Sequence, residues 1–242
     1  MTQPLPFADV SAWTEVATGR FAGAFAPAWT QGRSVFGGLQ GAVMLRAMER
    51  AVEPGRRCRS FNLTCCAPVQ PTEGTCEVAP LRAGRHVSTV EATLRQGGDA
   101  VARAVAAFGA DRDSAIVVDT PGIPSVPPPE SVPRVPPATP GVPRFVDELD
   151  LRVFEGTPYS GGSPNVSAWV RLSGARTLGA PEIVALCDAP PPAPVVMSSS
   201  PIPSSTVDLT IQLLDAAPPD PSGWFLYRSR CTWALGGSAE IQ

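Results

Sequence analysis

VFGGLQGAVMLRAMERA, residues 35–51, is the stretch on which the reading of the fold turns. Its first three turns carry only Gln40 and Arg46 as clearly polar side chains among Phe36, Leu39, Val43, Met44, Leu45, Ala47 and Met48. A helix that is apolar nearly all round is a buried one. Arg46, Glu49 and Arg50 break the run well short of the roughly 20 apolar residues a membrane span requires, so protein, not lipid, must cover it.

The cover follows in the chain. Ser60 to Cys65 alternates, with Phe61, Leu63 and Cys65 on one face, and Thr89 to Arg95 alternates again with Val90, Ala92 and Leu94. Period two marks half-buried strands. Weaker strand patterns run from Gly74 to Leu81 and from Ala100 to Phe108, divided from their neighbours by Ala83-Gly84 and by Gln96-Gly97-Gly98-Asp99, which favour antiparallel hairpins. The expected order is a helix and then a four-strand antiparallel meander, with one earlier strand within residues 20–29 completing the sheet.

Ten prolines between Pro121 and Pro143 mark an extended, semi-rigid connector. Beyond it the first half is replayed: Ser60-Phe61-Asn62-Leu63-Thr64 is echoed 146 positions later by Thr206-Val207-Asp208-Leu209-Thr210. Repetition of this kind points to duplicated units, here residues 1–115, a linker over 116–145, and residues 146–242. In the second unit a strand is expected at 168–172 and a helix at 181–187. Pro181 suits the first turn of that helix and Pro190 to Pro192 end it, leaving Asp188 at its terminus. A strand over 206–213, with Val207, Leu209, Ile211 and Leu213 inward, an aromatic strand over 224–233 and a Gly236-Gly237 turn complete the series. The counterpart of the Ala100 to Phe108 strand is not reached by Gln242, which predicts a second unit without its last strand. Either further chain or another molecule would then fill that place, and an open edge favours a homo-oligomer.

The net charge of −3 offers no basic field for a nucleic-acid backbone. Nothing in the first 30 residues has the form of an export signal, so a cytoplasmic setting is expected. Six cysteines without a C-x-x-C pair suggest neither a zinc site nor a disulfide framework, and read as small buried hydrophobes. His86, the only histidine, sits in a hairpin and reads as an exposed turn residue, which leaves a Ser-His-Asp hydrolase or a multi-histidine metal site without support.

Val35-Phe36-Gly37-Gly38 opening the helix, Arg59-Ser60-Phe61 starting the next strand, Gly84-Arg85 in a hairpin and Thr206-Val207-Asp208 in the second unit together resemble the acyl-CoA thioesterase II family of double hot-dog proteins. The resemblance runs from about Trp29 to Gln242. It implies an α+β fold of two tandem units, each a curved antiparallel sheet wrapped around a long helix. It also implies hydrolysis of acyl-CoA, as in fatty acid metabolism, with no metal or cofactor. The attacking water would lie between an Asp at the end of the second-unit helix, a Thr at the start of the following strand and a Gln late in the final strand. Asp188 and Thr206 match the first two; the segment for the Gln lies beyond Gln242.

A thioester carbonyl is already activated, so such chemistry needs a positioned water, a base and donors for the developing oxyanion. Asp188 suits the base and the Thr206 hydroxyl can hold the water. Amides at Gly37 and Gly38 could polarise the substrate carbonyl with the helix dipole behind them, or the glycines serve only close packing. Arg57 and Arg59 could meet CoA phosphates, or belong to a solvated turn. The aromatic row Trp224, Phe225, Tyr227 and Trp233 reads as core or interface before acyl pocket. The other function class is a non-catalytic acyl- or acyl-CoA-binding protein, or a degenerate relative that has lost the third polar group.

Overall fold

The computed structural model describes residues 6–113, 115–116, 118, 124–174, 178–214 and 222–242. A short helix α1 (Phe7–Ser11) leads into strands β1 (Thr14–Ala17) and β2 (Arg20–Ala24), a small ribbon β3 (Thr30–Gln31) and β4 (Ser34–Val35), and the helix α2 (Gly37–Glu49). Strands β5 (Arg57–Cys65), β6 (Glu73–Ala83), β7 (Val87–Gln96) and β8 (Asp99–Gly109) follow. The second half holds β9 (Leu149–Glu155), β10 (Asn165–Leu172), α3 (Ala180–Cys187), α4 (Ala193–Met197), β11 (Asp208–Gln212), β12 (Phe225–Leu235) and β13 (Ser238–Ile241).

The apolar helix is buried as its composition requires: Leu39, Ala42, Met44, Leu45 and Met48 are fully enclosed. Phe61 and Leu63 of β5 and Val90, Ala92 and Leu94 of β7 face it, so the period-two pattern assigns the inner face correctly. The neighbour order differs from a simple meander. The first sheet runs β1-β2-β6-β7-β8-β5-β11, with β5 beside β8 and not beside β6. Alternation fixes which face a strand buries and says nothing of which edge it joins.

That order places β5 against β11, and the pairing joins the two halves. Leu63 is paired with Leu209, its own echo 146 positions on, and Thr210 Oγ1 donates 3.0 Å to Asn62 Oδ1 on the outer side. The repeat is therefore also a contact, with an approximate two-fold running between the two leucines. The rest of the second half forms a sheet in the order β13-β12-β10-β9. Among the described residues, no strand lies between β13 and β11 in the place that β8 takes between β7 and β5. Val207, expected inward, precedes β11 and is 67% exposed; of the other three, Ile211 is buried in the core and Leu209 and Leu213 pack against it partly buried.

The main apolar core runs through both halves, from Phe7, Phe36 and Phe61 to Phe145, Ala168 and Val184, and a small second cluster holds Val166, Ala193, Val196 and Cys231. The ring of Phe36, at the start of α2, stacks on Phe145 with centroids 4.0 Å apart, and Trp29 continues the stack. The proline-rich connector is docked, not free: Trp169 Nε1 donates to Pro127 O, Arg152 to Pro129 O, and Val135 N to Leu151 O. Residues 121–123 of that stretch lie outside the described residues. No helix among the described residues is long and apolar enough to cross a membrane.

The two central helices run antiparallel and are tied by charge as well as packing. Glu182, in the first turn of α3, accepts from Arg46 of α2 and, at 3.0 Å, from the Gly179 N–H. Arg46 also donates to Ser11. Only 9% of the Glu182 side chain is exposed, and a carboxylate so buried needs its partners. Arg46→Ala is expected to cost about 3 kcal/mol by leaving that charge unpaired, read as a lower midpoint in urea unfolding.

Candidate active site

Asp188 follows the last turn of α3, where the prolines at 190–192 stop the helix and leave the residue in αR conformation. Its carboxylate is enclosed where that end meets the start of α2. Thr206 Oγ1 donates 3.0 Å to Oδ1. The Thr206 hydroxyl is placed by the neighbouring pairing, since Cys65 N donates 2.8 Å to Val207 O and so draws the segment before β11 onto the end of β5. Oδ2 of Asp188 is buried and accepts no hydrogen bond from the described residues.

Burial pushes the Asp188 carboxyl up from 3.8 to about 6, with the Thr206 hydroxyl and the Gly38 N–H opposing the rise. The carboxylate thus titrates within reach of neutrality. Gly37 and Gly38 stand directly against it. A Cβ at Gly37 would fall 2.7 Å from Asp188 Oδ2, and one at Gly38 would fall 2.7 Å from Ala185 O. Gly38 therefore permits close approach of the two helices, and its N–H faces Asp188. Packing of helix on helix accounts for this glycine.

Several neighbours of Asp188 carry no sequence signature of a site. Burial, with Asp188's charge as a lesser cause, pushes the Cys65 and Cys187 thiols to about 11 and raises the Tyr227 hydroxyl. These thiols are protonated near neutrality and serve as lining, not as nucleophiles. Cys58, Cys76 and Cys231 are buried as expected of small hydrophobes, whereas Cys66 is exposed; all six cysteines are unpaired. Within the aromatic row Tyr227 packs against the core, Trp233 is half exposed, and Trp224 lies on the outer face against two guanidiniums.

Arg57 and Arg59 are not brought to Asp188. They occupy the opposite end of β5 from Cys65, about 20 Å away for Arg59 and about 26 Å for Arg57 at the usual strand rise, and both pair with the exposed Asp111. The hydrogen bonds from Arg57 and then Arg59 hold the Asp111 carboxyl below its ordinary range. A phosphate here would have to displace that carboxylate. His86 is exposed between β6 and β7. Among the described residues no three His, Cys, Asp or Glu side chains converge as a metal would require.

The family model described as acyl-CoA thioesterase N-terminal domain matches residues 25–109, and that described as acyl-CoA thioesterase C-terminal domain matches residues 125–242. A conserved protein of unknown function with hot dog fold from Alicyclobacillus acidocaldarius is 26% identical, with a TM-score of 0.84 over 97% of this chain and 89% of that one. The tesB protein of Mycobacterium avium subs paratuberculosis is 21% identical, with a TM-score of 0.79 over 97% and 89%. The acyl-CoA thioesterase II TesB2 of Mycobacterium marinum is 17% identical, with a TM-score of 0.70 over 96% and 88%. These likenesses show a shared hot-dog fold, α+β and antiparallel. No curated protein matches the chain.

Proposed function

Because the chain belongs to the acyl-CoA thioesterase family along both of its halves, we propose that it hydrolyses acyl-CoA thioesters to free acid and CoA with Asp188 and Thr206 as the catalytic pair. The observation that supports this reading best is the asymmetry of the Asp188 carboxylate: one oxygen is held by Thr206 and the other is buried with no hydrogen-bond partner among the described residues. A water bonded to Oδ2 would lose its proton to that carboxylate as its oxygen attacks the thioester carbonyl carbon. Thr206 donates to Oδ1, so its own oxygen keeps lone pairs with which to orient the water. The C–S bond then breaks, the thiolate of CoA takes the proton, and no covalent enzyme intermediate forms.

The start of α2 supplies the positive end of a 13-residue helix dipole beside the reacting carbon. In this reading the Gly37 N–H assists the developing oxyanion, while the Gly38 N–H serves Asp188 itself. Arg57 and Arg59 would meet the phosphate end of CoA only by exchanging Asp111 for it. Acyl-CoA of fatty acid metabolism is the expected substrate pool, the cytoplasm the expected compartment, and a homo-oligomer the expected assembly.

Release of free CoA from acyl-CoA of several chain lengths, followed with a thiol reagent, tests the proposal with Asp188→Asn as control. Cleavage by the wild type and not by the variant supports it. Binding of acyl-CoA without cleavage by either would assign the chain to the non-catalytic class instead. Gly37→Ala adds a geometric check: its methyl group would force the carboxylate aside, and kcat is expected to fall about tenfold or more with little change in KM.

A further inference from the structure

On the outer face of the second sheet, three guanidiniums converge on one carboxylate. Arg171 of β10 is paired across the sheet with Asp150 of β9, and its Nη2 donates 3.1 Å to Asp150 Oδ2. Arg152, two residues along β9, clamps the same carboxylate with Nε at 2.9 Å and Nη2 at 3.2 Å. Arg134 reaches in from the connector, with its Nε 4.0 Å from Asp150 Oδ1. Burial alone would raise the Asp150 carboxyl, yet Arg152, Arg171 and Arg134 together hold it below its ordinary value.

One carboxylate balances one guanidinium, and Arg152 already provides a two-point clamp; its remaining amino group donates to Pro129 O and Val132 O. Glu130 acts on Arg152 as a second carboxylate, so among the three guanidiniums one positive charge is left over, on the side of Arg134 and Arg171. Of the five N–H groups on a guanidinium, Arg134 commits one to Leu149 O, and Arg171 commits one to Asp150 and one to Ser222 O. Both line a cavity of about 330 Å³ with Asp150, Ser173, Gly174 and Ser222. The indole of Trp224 lies 4.4 Å from the Arg171 guanidinium carbon and 4.9 Å from that of Arg152, which fixes Arg171 in place.

We propose that this cavity is a phosphate-binding site in which Arg134 and Arg171 grip the oxyanion and Asp150 holds Arg171 in position. Guanidinium forks fixed before the ligand arrives suit a tetrahedral oxyanion, since little side-chain ordering remains to oppose binding. The site stands on residues remote in sequence from Asp188 and Thr206 and is independent of their role. Its ligand is either a free phosphate or the phosphate of a larger molecule such as CoA.

The test is calorimetric titration of the full chain with inorganic phosphate and, separately, with CoA, at ionic strength held constant with sodium chloride, together with tryptophan emission. Saturable binding of phosphate by the wild type is expected, at least about tenfold weaker in both Arg134→Ala and Arg171→Gln. Trp224→Phe should abolish the emission change and leave the heat of binding. If CoA affinity falls in step with phosphate affinity, the phosphate of the larger molecule is the ligand; if phosphate binding alone falls, free phosphate is. Absence of saturable phosphate binding by the wild type would overturn the proposal, as would unaltered affinity in Arg134→Ala with folding intact by circular dichroism. Thioester cleavage by Asp188 is read in a separate assay, so failure of either reading leaves the other standing.

Discussion

Asp188→Asn is expected to lower kcat for acyl-CoA cleavage by about 10² to 10⁴, the range associated with loss of a general base. The wild-type rate should rise with pH along a limb centred near 6, where the buried carboxyl gives up its proton, and the variant's residual rate should lack that limb. Stability should move the other way. The folded-state value of about 6 lies above the ordinary 3.8, so the native chain binds the proton more tightly than the unfolded one. The stability linked to this proton is fully present below about pH 4 and is lost as the pH rises through 6, about 3 kcal/mol in all. At pH 8 the asparagine variant should therefore melt at a higher temperature than the wild type, and at pH 4 it should not. A variant that is inert and also less stable at pH 8 would point to an Asp188 that merely ends a helix.

Phe36→Ala should be among the most damaging substitutions in the core, at about 3–5 kcal/mol. Its ring is fully buried and forms the stack with Phe145 that spans the two halves. Urea unfolding followed by both fluorescence and circular dichroism should show one transition, displaced to lower denaturant with its slope unchanged. Two transitions would mean that the halves fold as separate bodies, against the main core that joins them. Cleavage should fall as well, since Phe36 immediately precedes the glycines that face Asp188.

Some of this was legible in the residues and some was not, for physical reasons. The helix α2 announces itself because nearly every side chain of residues 36–48 is apolar, and β5 and β7 do so because a sustained alternation of apolar and polar residues does not fit a helical period. The strand β1 gives no such signal, since all four of its side chains are exposed, and β9 carries Asp150 and Arg152 on a face that the connector covers in part. α1 and α4, at five residues each, are too short to show a period. Arg46 and Glu182 pair across 136 positions, and nothing local marks either as the other's partner.

The candidate site shows the same division. Asp188 before a proline run and Thr206 at a strand start are unremarkable residues, singled out by resemblance to a family and not by spacing. What the chain could not disclose was their setting: the burial that moves the carboxyl toward neutrality, and the unpartnered oxygen. The arginines at 57 and 59 drew notice as a charge run, whereas Arg134, Arg152 and Arg171, spread over 38 positions of chain, converge only after β9, β10 and the connector are in place.

The close approach at Gly38 has one more consequence. Asp188 and Thr206 come from the later half of the chain, while Gly37, Gly38 and Cys65 around them come from the earlier half. Neither half taken alone would hold that carboxylate together with its surroundings. Whatever loosens the seam between the halves also uncovers that carboxylate to solvent, so under the proposed function chemical competence and the joining of the two halves are inherited, or lost, as one trait.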